Sequence, residues 1–439
     1  MRSCRVSTSV IRMADPIESR APHLRAVISV RDQLSRWLLE NALPLWDDYG
    51  VDRRSGGYFE TLAPIGADAG SGPQTGFAAG GDVRRGRVVA RQIYVFAIGE
   101  RLGWRSPLSS PVEHGSDYLF ARLHRDDGMF HTSVEAATHL PNAPFSLYEH
   151  AFYLFALAHL NTAHAGRRPI ADTAARCLDR LRRGLGRRGG GFEESAPPTL
   201  PLRSNPHMHL LEAALAWMAV SEGAAQEPWS DLAREIVRLC LTRFRDPSTG
   251  AIREYFDYQW QPAQGDDGRV VEPGHQFEWA WLLMQWARTP QCENSERAIC
   301  VDAARRLIET AERFGVDAAR GVAINELWDD MTVKDSAAKL WPQTERVKAW
   351  CAMLDRADSD AETERACRGI VVAAQGLSRY LRTDAPGLWH EVWSTDGEFV
   401  PGPARASSLY HVVCAVDALH SAVGAQGGAL PSDLSLACG

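Results

Sequence analysis

Six times along the chain a glycine leads a short apolar run that ends, in most copies, on a glutamate or another polar residue. The copies are Gly57-Tyr-Phe-Glu60, Gly128-Met-Phe-His131, Gly191-Phe-Glu193, Gly250-Ala-Ile-Arg-Glu254, Gly321-Val-Ala-Ile-Asn-Glu326 and Gly387-Leu-Trp-His-Glu391. Neighbouring copies lie roughly 60–70 residues apart, enough for two helices and their connections. A unit of that size cannot bury its own apolar face, so the copies must pack against one another.

Between the glycines, apolar residues recur with helical periodicity. Helices are expected near 22–42, 87–102, 109–123, 146–163, 169–184, 206–221, 228–244, 274–288, 295–313, 337–355, 361–381 and 404–420. Alternate members differ in character. The stretches 169–184, 228–244, 295–313 and 361–381 are studded with Arg, Asp and Glu, as a solvated outer face should be. Those at 146–163, 206–221, 274–288 and 404–420 are apolar nearly all round, as an inner layer requires. The expected fold is therefore all-α, an (α/α)6 barrel or six-hairpin toroid, with short β-hairpins at its mouth. It should span residues 22–421 as a single domain, with 1–21 a flexible extension and 422–439 a disordered tail. The Gly-, Ala- and Pro-rich stretch 64–82 is the candidate mobile flap. An open solenoid of hairpins is the alternative.

A net charge of −7 weighs against a nucleic-acid or anionic-membrane partner, and no apolar run reaches the length of a membrane span. The nine cysteines form no Cys-x-x-Cys pair and read as free thiols of a reducing cytoplasm. Arg2, Arg5 and Arg12 precede no signal-peptide apolar run, and Met13 is a second candidate start. Fourteen Trp is a high count; burial accounts for most, but indole faces also stack on sugar rings.

The expected inner helices open with polar residues that a core would not select. They are Arg91; Tyr148, Glu149 and His150; Asn205 and His209; His275 and Glu278; Gln343, Glu345 and Arg346; and His411. In a ring of parallel inner helices, all these starts face one end. A single histidine there would read as a satisfied core residue, but six insertions at equivalent places point to one shared cavity. His275 and Glu278, at i and i+3 behind Pro273-Gly, lie within reach of each other, and a carboxylate beside an imidazole suits a general base. Asn205, His209 and Glu212 repeat the pattern. His-Glu-x-x-His is missing, and His207-Met-His209 puts its histidines on different faces, so no metal is expected. No nucleotide-binding glycine loop or serine elbow is found.

Several segments resemble the N-acylglucosamine 2-epimerase superfamily, which includes mannose and sulfoquinovose isomerases. They are Ala90-Arg-Gln-Ile-Tyr-Val-Phe96, Ser204-Asn-Pro-His-Met-His-Leu-Leu-Glu-Ala213, Pro273-Gly-His-Gln-Phe-Glu-Trp-Ala280, Leu340-Trp-Pro-Gln-Thr-Glu345 and Leu409-Tyr-His411. The resemblance covers nearly all of 25–420. It implies a cofactor- and metal-free reaction at C2 of a monosaccharide, with His275 and His411 as acid/base residues. It also implies Arg91 polarising the carbonyl or enediolate oxygen and Glu278 partnering His275. Asn205 and His209 would contact sugar hydroxyls, with Tyr148, Glu212, Trp341, Gln343 and Glu345 completing the binding set. One departure is Arg87, where some isomerases carry Trp. The expected activity is aldose–ketose isomerisation, D-mannose to D-fructose, by a monomer or homodimer in the cytoplasm. The alternatives are a 2-epimerase, a glycoside hydrolase using carboxylates such as Glu193, Glu254 or Glu326, and a non-catalytic sugar-binding protein. Arg84, Arg85 and Arg87 are the candidates for meeting a 6-phosphate.

Overall fold

The computed structural model describes residues 16–65, 77–163 and 169–426. Among the described residues, twelve helices of eight residues or more alternate between two layers. The outer ones are α1 (Pro16–Trp37), α3 (Pro111–Tyr118), α5 (Ile170–Leu185), α7 (Glu227–Leu239), α9 (Asn294–Phe314) and α11 (Asp360–Tyr380). The inner ones are α2 (Gly86–Arg101), α4 (Leu147–Ala163), α6 (Ser204–Val220), α8 (Pro273–Arg288), α10 (Trp341–Leu354) and α12 (Ala406–Gln426). Each inner helix packs on the next, and α12 returns to α2, so the layer closes into an (α/α)6 barrel.

The two layers follow from composition. α5 buries Ile170, Thr173, Ala174, Cys177, Leu178 and Leu181, one stripe at helical spacing, and leaves its Arg and Asp residues to solvent. In α4 the run from Ala151 to Ala158 is buried on every side. Such a helix is stable only with neighbours all round. Outer helices start on local signals: Ser110 caps α3 by accepting from Glu113 N–H, and Ser359 caps α11 by accepting from Glu362 N–H.

Short strands tie the repeats together in a cycle. The two or three residues before each inner helix pair antiparallel with a strand that follows a glycine motif. For five inner helices it is the next motif along the chain: Arg84 with Val134, Ser146 with Ser195, Leu202 with Phe256, Val271 with Leu327, and Lys339 with Val392. The sixth pairing, Leu62 with Ala404, joins the first motif to the last inner helix. All six motif glycines have φ between 69° and 94°, the left-handed region that favours glycine.

Inner-helix side chains satisfy the backbone behind four of these turns. His150 and His207 accept at Nε2 from the N–H of Phe130 and Phe192, while Nδ1 donates to the carbonyls of Ser146 and Arg203. Burial pulls both imidazoles down to about 4, so they stay neutral. Gln276 and Gln343 do the same with amides: each exchanges two hydrogen bonds with the backbone of Ile252 or Ala323, and donates as well to Glu272 or Lys339 carbonyl.

Several boundaries shift. α1 already runs from Pro16, inside the expected extension, and α12 continues to Gln426, past the expected end at 421. α10 begins at Trp341 because 338–339 is a strand. Both ends of the 64–82 stretch are strand, Thr61–Pro64 pairing with Phe77–Gly80; its centre, like residues 1–15 and 427–439, lies outside the described residues.

Two glycines separate strain from crowding. Gly250 and Gly191 share φ of 76°, but a Cβ on Gly250 would meet nothing within 4 Å, whereas one on Gly191 would lie 2.8 Å from His207 Nε2 and 2.9 Å from the Trp260 ring. Gly250→Ala is expected to cost about 1–2 kcal/mol for the left-handed backbone alone, and Gly191→Ala clearly more. Denaturant unfolding of the two variants checks this, and equal losses would contradict it.

Candidate active site

Because every inner helix begins at the strand-bearing end, their first turns surround one cavity of about 430 Å³. Eight of the residues picked out in the sequence line it: Arg91, Tyr148, Asn205, His209, His275, Glu278, Trp341 and His411. Glu272, Lys339, Glu391, Arg405 and Ser408 line it as well.

The two histidines expected to move protons are held in opposite charge states. His275 Nδ1 lies 2.8 Å from Glu254 Oε2 and 3.8 Å from Glu272 Oε2. Burial alone would lower its pKa, but the two carboxylates outweigh burial and push it up to about 10. Its Nε2 is 3.2 Å from the side-chain amide of Asn205. His411 Nδ1 lies 2.9 Å from Glu345 Oε1. Here burial dominates, and with the Arg91 charge it overcomes Glu345 and brings the imidazole down to about 4. Near neutral pH the site therefore holds an imidazolium and a neutral imidazole, an acid and a base separated by environment alone. The Trp341 ring lies 4.9 Å from one and 5.9 Å from the other, centre to centre.

Arg91 is the third element. Its guanidinium sits 4.1 Å over the Phe152 ring and 4.8 Å over Tyr410. Its hydrogen bonds go to neutral acceptors, Tyr148 Oη at 2.9 Å and Ser407 O at 3.2 Å. Among the described residues no carboxylate pairs with it, so its charge remains available to an oxyanion in the cavity.

A buried charged layer lies under the floor. Lys348 Nζ, fully buried, is 2.6 Å from Glu345 Oε2 and 4.2 Å over the Trp281 ring. Tyr410 donates to Glu212 Oε1 at 2.6 Å, and Glu212 Oε2 lies 3.0 Å from His209 Nδ1. Burial would push Glu212 up, but His209 and Lys348 outweigh it and hold it at about 2. Glu278 goes the other way: burial first, then Glu345 and Glu212, raise it well above the usual carboxylate range.

Three expected roles change. Glu278 does not partner His275; its Oε1 lies 3.8 Å from His209 Nδ1, and the carboxylate on His275 is Glu254, from the preceding glycine motif. Spacing of i,i+3 put Glu278 on the right helix face, but the imidazole turns to the mouth hairpin instead. Gln343, expected to bind sugar, is committed to the backbone of Ala323 and Lys339. Glu345 and Glu212 sit beneath the cavity and orient His411 and His209. Arg346 turns outward to Glu312 at 2.7 Å. Glu193 and Glu326, the hydrolase candidates, pair with Arg187 and Lys334 away from the cavity. Arg84, Arg85 and Arg87 are each paired, with Asp52, Glu60 and Glu149.

The expectation of no metal meets two clusters with ligand spacing: His209, Glu212 and Glu278, and Glu254, Glu272 and His275, each offering atoms within 4.8 Å of one another. In both, the histidine Nδ1 that would face an ion is hydrogen-bonded to a carboxylate, at 3.0 and 2.8 Å.

A closed helical toroid whose inner-helix starts gather an imidazolium, a neutral imidazole and an arginine without an acidic partner in one polar cavity is suited to moving protons on a small polar ligand. The chain belongs to the N-acylglucosamine 2-epimerase family, whose model matches residues 73–415. It is 42% identical, over 88% of its length and 95% of the relative's, to a protein of Rhizobium meliloti (strain 1021) named mannose-6-phosphate isomerase. Among solved structures it resembles cellobiose 2-epimerase from Spirochaeta thermophila DSM 6192, with TM-score 0.74, 21% identity, and 92% and 98% of the two chains covered. It also resembles a D-mannose isomerase, with TM-score 0.71, 16% identity, and 94% and 100% covered. The chain is thus a sugar isomerase or epimerase of this family.

The Lys348–Glu345 pair is open to a direct check. Lys348→Met would leave Glu345 buried without its cation, and breaking such a pair from one side costs about 3–5 kcal/mol. A thermal melt should show that loss. A variant as stable as the parent would mean that Glu345 carries no charge.

Proposed function

We propose that the enzyme interconverts an aldose and its 2-ketose through an enediolate, with D-mannose and D-fructose as the best-matched pair. The observation that carries this reading is the pairing of a neutral His411 with a protonated His275 across one cavity, beside an arginine with no acidic partner. The relative named mannose-6-phosphate isomerase and the D-mannose isomerase structure support the mannose configuration.

A C–H beside a carbonyl is a weak acid, so its removal needs a base and a cation for the oxygen that becomes charged. His275 donates its proton to the ring oxygen as the C1–O bond of the pyranose breaks, and the O1 hydroxyl proton passes to the freed imidazole nitrogen as the C1 carbonyl forms, with Glu254 holding the regenerated imidazolium. His411 then takes the C2 proton; the C–H electron pair forms the C1–C2 double bond, and negative charge moves onto O1 beside Arg91. Return of the proton from His411 to C1, with the O2 proton passing to O1 as the C2 carbonyl forms, leaves the ketose. Delivery of a proton to C2 by His275 would give the epimer instead, and the presence of two histidines at one cavity favours keeping that second reading.

Reaction in heavy water separates the two: deuterium at C1 of fructose formed from mannose marks the isomerase, whereas deuterium at C2 with no ketose marks the epimerase. His411→Ala should lower C2 exchange by roughly 10²–10⁴-fold, and near-normal exchange would remove His411 as the base.

The pH profile follows from the two charge states. Activity needs His411 neutral and His275 protonated, so kcat/KM should fall below pH about 4 and above about 10, with a plateau between. Glu254 helps to raise the pKa of His275, so Glu254→Gln should move the alkaline limb to lower pH. An unmoved limb would show that another group sets it. The reaction is proposed to need no metal, because in each cluster the histidine Nδ1 is hydrogen-bonded to a carboxylate. Prolonged chelation should leave the rate intact; loss restored by a divalent ion would reverse this assignment. The seven cysteines among the described residues are free and buried, consistent with a reducing compartment.

A further inference from the structure

The repeats contain an internal comparison that bears on which sugar enters. Four of the six inner helices are preceded by a strand ending on a cation: Arg85, Arg203, Lys339 and Arg405. In all four, a side chain from a glycine-motif segment accepts the backbone N–H of that cation: Glu60 for Arg85, Glu194 for Arg203, Asn325 for Lys339 and Glu391 for Arg405. At the first two, the guanidinium folds back onto the same glutamate, 2.6 Å for Arg85 and 2.8 Å for Arg203. The charge is cancelled where it arises.

The other two positions depart from this pattern. Asn325 is neutral, so the group that accepts the Lys339 N–H offers its ammonium no charge, and Glu272, the cavity carboxylate that feels Lys339, forms no ion pair with it. Glu391 is already filled: Oε1 also accepts from Trp389 Nε1 and Oε2 from Ser408 Oγ, both at 2.8 Å. Among the described residues neither the Lys339 ammonium nor the Arg405 guanidinium forms an ion pair. These two are also the strand-end cations that line the cavity, each within two residues of the N-terminus of an inner helix, where the peptide dipoles favour an anion further.

We propose that Lys339 and Arg405 form an anion subsite of the catalytic cavity that takes the phosphate ester of a hexose phosphorylated at the end remote from C1 and C2. Two cations held outside any ion pair match a group carrying close to two negative charges at neutral pH, even with Glu272 and Glu391 in the same cavity wall. The inference rests on the isomerase reading for what happens at C2, but the subsite itself does not depend on it.

The test compares mannose with mannose 6-phosphate on the wild type, Lys339→Met, Arg405→Met and the double variant. Arg203→Met, whose guanidinium is already paired, serves as the control. The ratio of kcat/KM for the ester to that for the free sugar should exceed tenfold at low salt and shrink as salt screens the charges. It should drop at least tenfold in the double variant, recover in part with Arg405→Lys, and hold in Arg203→Met. A wild-type ratio of one or less, or a ratio that the double variant leaves unchanged, overturns the proposal. A 6-sulfonate sugar used as well as the phosphate ester would assign the subsite to any terminal anion and overturn its phosphate specificity. Thermal shift with mannose 6-phosphate separates the two readings. A shift lost in the double variant without turnover of either sugar keeps the subsite and removes the isomerase. Turnover of free mannose with no advantage for the ester does the reverse.

Discussion

A backbone N–H that points into a protein interior must find an acceptor there, and this requirement organises the barrel mouth. Each glycine motif turns inward, and four of them aim an amide at an inner helix. His150, His207, Gln276 and Gln343 answer with one side chain that serves both the turn and its own helix. These bonds fix the height of the helices against the hairpins. Four of the cavity-lining residues lie within two positions of them: Tyr148 beside His150, His209 beyond His207, His275 next to Gln276, and Trp341 before Gln343. The scaffold bond and the chemistry share the same first turn.

Charge placement then divides the labour. Two histidines of ordinary intrinsic basicity are driven apart because one faces two carboxylates and the other faces one carboxylate already bound to a buried ammonium. Arg91 and, to a smaller extent, Lys348 oppose the pull that Glu345 exerts on His411, which lets burial keep that imidazole neutral. Glu345 still fixes the ring through Nδ1, so orientation and basicity are set by different partners. Arg91, ringed by aromatic faces and neutral acceptors, keeps a charge that nearly every other arginine near the mouth has given to a glutamate.

The sequence made the barrel legible because its two signals agree. A glycine with positive φ at each repeat and a helix pair between glycines leave few alternatives, and all twelve expected helices are present. Helix ends were less legible where a strand of two residues, such as 338–339, precedes the helix. Eight site residues could be read because polar insertions at equivalent places in a repeat must meet in a closed ring. The partners could not. Glu254 reaches His275 across a hairpin, and Glu345 reaches His411 between helices, so neither contact has a sequence spacing. In sequence Gln343 reads as a ligand contact because a polar residue in an apolar helix looks the same whether it serves a substrate or a backbone. The equivalent place one repeat earlier carries Gln276, whose amide serves the Ile252 backbone in the same way.

The strand pair that joins Leu62 to Ala404 has a consequence for how the molecule is made. Arg91 belongs to the first inner helix and His411 to the last, more than three hundred residues later, so no partial chain emerging from a ribosome contains a working site. Until α12 arrives, α2 and α10 each present a bare apolar flank, and the growing polypeptide is an open arc with two sticky ends. Loop closure over such a distance is entropically late, which makes sealing of the ring the final event of folding. Catalytic competence and the disappearance of the exposed flanks therefore coincide, and a chain released too early is both inactive and prone to join another of its kind.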